Sequence, residues 1–126
     1  MTPAAVRALA LALPDATEAP HFQYASFRVR GKIFATMPPA GDALHLFLAE
    51  TAREQALALH GAFVDKLLWG GKVVGVRVAL DAADAKVVRA LLARAWEAKA
   101  PKVLLGDAGK AAPATVARKP RGKPVR

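Results

Sequence analysis

The chain has 126 residues, 54% of them apolar and 23% charged, with a formal net charge of +9 at pH 7; this describes one globular domain with a single core rather than a disordered polymer. It contains no cysteine, which excludes disulfides, thiolate nucleophiles and cysteine-held zinc or iron–sulfur centres. No run approaches the ~18 apolar residues of a membrane span. The opening MTPAAVRALALALPD also places Arg7 inside its apolar run, where a signal peptide has its charge before it. The expectation is a cytoplasmic protein with no membrane partner.

Thr2 followed by Pro3 is a helix start, and Val6, Leu9, Ala10 and Leu13 recur at helical spacing until Pro14. Asp15–His21, with Pro20, reads as a loop. From Tyr24 the period changes to two. Ala25, Phe27 and Val29 face one way; Tyr24, Ser26, Arg28 and Arg30 face the other. Gly31 marks a turn, Lys32–Met37 a second strand, and Pro38–Asp42 a break. Ala43–Leu48 then alternates again, with Leu44, Leu46 and Leu48 inward and His45 and Phe47 outward.

Thr51 is expected to cap a short helix with Glu54 as its capping-box partner, and Gly61 to end it. Phe63–Trp69, the turn Gly70-Gly71 and Lys72–Leu80 read as a second hairpin, with Val74, Val76, Val78 and Leu80 on one face and Val73, Gly75 and Arg77 on the other. Asp81 is expected to cap a last helix whose apolar stripe is Val88, Leu91, Leu92, Ala95 and Trp96, ended by Pro101. This order predicts an α+β two-layer sandwich: an antiparallel sheet of about five strands with helices on one face.

The charge is unevenly placed. Residues 1–100 carry 12 Lys/Arg against 9 Asp/Glu, whereas residues 101–126 carry 7 Lys/Arg against Asp107 alone. The chain thus divides into a domain over 1–100 and a basic Pro/Ala/Lys/Arg-rich tail over 101–126, which is expected to be disordered when free.

The segments LALPDATE, FRVRGKIFA (Phe27 to Ala35), the third strand, the late Trp-Gly-Gly before VRVAL, and the ARAW helix together resemble the MmcQ/YjbR family from about Val6 to Lys99. The resemblance implies a fold like that of the frataxin-like CyaY group and a DNA-binding, double-wing function. Two features depart from the family's pattern. Lys72 stands where many members have an aromatic residue, and the basic tail lies outside the shared region.

No catalytic site is expected. Ser26 is the only serine; it and His45 lie on the first and third strands of a meander, roughly 9–10 Å apart, too far for a nucleophile and its base. His21, His45 and His60 lack ligand spacing and read as surface residues, so neither metal nor cofactor is expected. An acidic ridge of the frataxin kind is absent from helix 1. Gly31-Lys32, Gly71-Lys72 and Gly109-Lys110 lack the Ser/Thr of a phosphate loop and read as turns.

The outward sheet face is the most informative cluster. Arg28, Arg30, His45 and Arg77, with Tyr24 and Phe47, are expected to share it, and Lys32, Trp69 and Lys72 to lie near the hairpin tips. Cations interleaved with aromatics neutralise phosphates and stack bases. Arg118, Lys119, Arg121, Lys123 and Arg126 of the tail would add contacts that read no sequence. The expectation is a non-enzymatic nucleic-acid-binding protein. A protein-interaction or small-ligand module, using the groove beside the sheet and Trp69, is the alternative.

Overall fold

The computed structural model describes residues 1–104, in the order α1 (Pro3–Leu11), β1 (Ala16–His21), β2 (Tyr24–Val29), β3 (Lys32–Met37), β4 (Ala43–Leu46), α2 (Glu50–Leu59), β5 (Val64–Trp69), β6 (Lys72–Ala79) and α3 (Ala85–Lys99). Thr2 opens α1 as its residue types require, accepting a hydrogen bond from the Ala5 amide at 3.1 Å. The next two helices start elsewhere than expected. Ala49, with no side-chain cap, precedes α2, so Thr51 and Glu54 lie inside the helix. Asp84, not Asp81, caps α3, accepting from the amides of Lys86 and Val87. In both cases the preceding strand and the helix's apolar stripe decide where the first turn falls, and a good capping residue nearby is bypassed.

The expected loop Asp15–His21 contains a strand. β1 runs from Ala16, opposite Val29, to His21, opposite Tyr24, and pairs only with β2. Proline is tolerated there because one side of an edge strand needs no partner. The sheet therefore has six strands rather than five, in the order β1-β2-β3-β4-β6-β5, with every neighbouring pair antiparallel.

All three helices pack on one face. α3 lies against β3 and β4 with α1 beside it, and α2 rests on β5 and β6. Phe27, Val29, Phe34, Leu44, Leu46, Val76 and Val78 supply the sheet side of one continuous core. Val6, Val88, Leu92 and Trp96 supply much of the helix side. The Trp96 indole nitrogen donates to the Pro14 carbonyl at 2.8 Å, so the largest core side chain is also satisfied as a donor. Beyond Pro101 the chain turns once more and returns Leu104 to the core. The packed part thus extends past the expected boundary at residue 100.

The β2–β3 and β5–β6 hairpins each have a two-residue turn with both residues at positive φ: Arg30 (50°) and Gly31 (84°), Gly70 (58°) and Gly71 (81°). This is the mirror-image turn that matches strand twist. Each also carries a bulge near its tip, leaving Phe34 without a partner on β2 and Val74 without one on β5. Since β3 and β6 both run antiparallel to β4, the two tips project at the same end of the sheet.

Between them β4 is short. Past Leu46 its backbone crosses so close over β6 that a Cβ on Gly75 would sit 2.0 Å from the Leu46 carbonyl oxygen. Replacing Gly75 by Ala is therefore expected to destabilise the fold by at least ~2–3 kcal/mol, because backbone has to move. Gly31→Ala, with open space around its Cβ position, is expected to cost only the ~1–2 kcal/mol of left-handed strain. Urea unfolding followed by Trp96 fluorescence ranks the two; equal losses would mean that the crossing relaxes freely.

Candidate nucleic-acid interface

Because side chains alternate along a strand and the helices occupy one face, the second face of the sheet is left open. A row of paired residues crosses it. Ser26 stands opposite Thr36, Thr36 opposite His45, His45 opposite Arg77, and Arg77 opposite Asp65. The alternation adds Tyr24 and Arg28 from β2, and Leu67 and Trp69 from β5. Leu67 and Ala43 are buried yet stand outside the helix-side core, so this face has some cover of its own.

At the β1–β2 end, Ser26 is fully buried. Its hydroxyl donates to the Ala19 carbonyl at 2.7 Å and accepts from Arg28 Nε at 3.0 Å. Arg28 also reaches the Pro20 carbonyl at 3.4 Å. Its guanidinium is thus fixed along the sheet by neutral acceptors, which leaves its charge uncompensated by a carboxylate.

His45 departs from its expected place on the surface: it is buried, with Nδ1 3.4 Å from the Thr36 hydroxyl. Burial, and secondarily the charge of Arg77, pull its pKa below the ordinary value of 6.5, while Asp42 acts weakly the other way. The ring is therefore neutral at pH 7 and serves as packing and as a hydrogen-bond partner. It is not a cation of the interface. Thr36 on β3 stands between Ser26 and His45, so no hydroxyl–imidazole pair forms.

The other expected residues divide. Arg77 and Lys72 belong to the open face, and Trp69 lies beside Phe47 there, ring centroids 5.4 Å apart and edge to face. Arg30 is drawn away by an ion pair with Asp15 at 2.6 Å. Lys32 stands opposite Val29, a core residue, so its side chain leaves from the helix side of the tip. Arg118, Lys119, Arg121, Lys123 and Arg126 lie outside the described residues, as does Gly109-Lys110. Both described Gly-Lys pairs sit in hairpin turns. Among the described residues no three His, Cys, Asp or Glu side chains converge as a metal site. A shallow groove between α2 and α3, lined by Ala52, Ala56, Leu59, His60, Leu91 and Arg94, does not include Trp69.

Two features escaped the sequence reading. Tyr24 lies against His45 with centroids 6.0 Å apart, a diagonal contact visible only once register is known. Phe22, between the expected loop and the first expected strand, is 91% exposed with φ of 58°; an aromatic residue just ahead of the period-two run was its only signal.

Together these features define a two-layer α+β sandwich whose sheet face opposite the helices bears cations and rings. The YjbR family pattern matches residues 11–98, and the chain belongs to that family. The crystal structure of the Deinococcus radiodurans protein DR2400 shares the fold, with a TM-score of 0.62 at 21% identity over 72% of each chain. No curated protein matches. No described helix is long and apolar enough to cross a membrane.

The depressed pKa of His45 has a consequence for stability. The unfolded chain binds this proton more readily than the folded one, so stability is fully present above pH ~6.5 and falls as pH drops through and below that value. The His45 ring is expected to titrate below 6.5 by NMR, and His45→Gln to flatten the fall in urea midpoint between pH 7.5 and 5. Titration at or above 6.5 would contradict its burial.

Proposed function

We propose that this protein binds nucleic acid without catalysing a reaction, applying the open sheet face to the phosphate backbone. The observation that carries this reading is the joint placement of Arg28, Lys72 and Arg77 on the sheet face opposite the helices, with Arg28 held in position by neutral acceptors. Fixed cations of this kind release counterions from a polyanion with little ordering cost of their own. The hairpin tips contribute less. At the β2–β3 tip Arg30 is paired with Asp15 and Lys32 leaves from the helix side, and Lys72 at the β5–β6 tip belongs to the open face, which favours the face over the double-wing arrangement.

The tail adds a second, non-selective term, since residues 101–126 carry 7 Lys/Arg and Asp107 as their only carboxylate. DNA is the form that the family resemblance suggests. A protein-interaction module is the competing reading, favoured by Leu68 and Trp69, which are exposed on the edge strand β5.

In the full chain, replacing Arg28, Lys72 and Arg77 together by Ala is expected to lower affinity and to reduce the slope of log K against log salt by about 2–3, at roughly 0.7–0.9 per phosphate contact. A chain ending at Leu104, which keeps every buried residue described, measures the tail's share. An unchanged slope in the triple variant would remove the face from the interface.

A further inference from the structure

Four of the chain's eight aromatic residues of the Phe, Trp and Tyr types are on or beside the open face, although only three, Phe27, Phe34 and Trp96, are fully buried in the core. Their arrangement is ordered. Phe22 packs edge-on against His21 at 4.8 Å, at the tip of β1–β2. His21 is paired with Tyr24 across the ladder, and Tyr24 lies 6.0 Å from His45. Phe47 follows His45 two residues on, just past the end of β4, and meets Trp69 at 5.4 Å. The rings form one diagonal track from the β1–β2 corner to the tip of β5–β6.

The two ends of this track add little to the fold. Phe22 is 91% exposed and Trp69 54%, so their rings gain little from folding. Phe22 also occupies a left-handed backbone conformation that costs an aromatic residue free energy. A duplex cannot use such rings in quantity, because its bases are stacked inside and its outside is phosphate and groove edges. A single strand can: its bases have free faces, and an open antiparallel sheet with aromatics takes two or three of them while flanking cations follow the backbone. Arg28 stands four residues along β2 from Tyr24, its guanidinium turned back to the Ser26 hydroxyl and the Pro20 carbonyl. Arg77 stands opposite His45 midway along the track, and Lys72 opposite Trp69 at its far end. Cations thus accompany the track along its length.

We infer that the ring track on the open face is a binding site for single-stranded nucleic acid, with Tyr24 and Trp69 as base-stacking platforms and Phe22 as its outer limit. This rests on the nucleic-acid reading above and adds the form of nucleic acid. His45, neutral and buried, supports the track from beneath, and Leu67, buried on the same face, underlies its other end.

The test uses the full chain, a single strand of oligothymidylate of about 12 nucleotides, and a duplex of the same length, compared by fluorescence anisotropy at two salt concentrations. The wild type is expected to prefer the single strand, the preference growing at high salt as the tail's contribution fades. Trp69→Ala and Tyr24→Ser are each expected to weaken single-strand binding about 5- to 100-fold, in keeping with the stacking contribution of one base, with the salt slope unchanged. Trp69→Phe should recover most of the loss. Quenching of Trp69 by the oligonucleotide is expected, and buried Trp96 reports that each variant is folded.

Equal or tighter duplex binding, unaffected by Trp69→Ala and Tyr24→Ser, would overturn the inference; if the Arg28, Lys72 and Arg77 triple variant still weakened binding, the nucleic-acid reading would stand. If neither set of variants altered binding, both would fall. A change of sedimentation behaviour in Trp69→Ala without a change in binding would make the track a self-association surface, and this too would overturn the inference.

Discussion

The passage of the Leu46 carbonyl over Gly75, with no room for a Cβ between them, is the contact on which both faces of the sheet depend. It lets β4 be short, brings β6 directly beside it, and sends the chain off toward α2 while the two hairpins continue past it. On the helix side it leaves Leu46 and Val76 as the last pair of the β4–β6 ladder, both in the core. On the open side it delivers Phe47 to the level at which Trp69 can meet it. A side chain at position 75 would separate the two strands and, with them, the two halves of the open face.

The one-sided placement of the helices follows from burial. The strands supply a single strongly apolar face, and three short helices suffice to cover it. Polar groups inside are paired: Trp96 to the Pro14 carbonyl, Ser26 to the Ala19 carbonyl, His45 to Thr36. Each such bond avoids a desolvation penalty of about 1–3 kcal/mol. The surface ion pairs, such as Arg7 with Glu18 at 2.7 Å, are exposed and add little to stability. Their importance is in which cations they withdraw, and the Asp15–Arg30 pair withdraws one that the sequence alone would count toward an anionic ligand.

The open face has a different logic. A sheet surface that only met water would carry Thr, Lys, Glu and Arg in mixture. This one has its carboxylate, Asp65, at the β5 edge, a guanidinium, that of Arg28, fixed by neutral acceptors, and rings that pack on one another rather than into the core. YjbR family membership supplies the fold and leaves the ligand to be argued from such side chains. The shallow, mostly apolar groove between α2 and α3 has no comparable set of converging polar groups.

Local chemistry made much of the architecture legible in the sequence. Proline at positions 3, 14 and 101 bounded helices, period-two alternation marked three strands of the sheet and their inward residues, and Gly31 and Gly70-Gly71 marked the turns that join two of them to their hairpin partners. The cations of the open face could be listed for the same reason, since alternation says which side of a strand a residue leaves from. Tertiary structure decided whatever depended on a partner distant in sequence. β1 exists because β2 offers it an edge, and Asp84 rather than Asp81 caps α3 because of where β6 ends. Arg30 is lost to Asp15, and His45 is buried because Thr36, Tyr24 and Arg77 surround it. The ring track is of this second kind: its residues lie on β1, β2, β4 and β5, in the β1–β2 turn and just past β4, and only strand order and register make them neighbours.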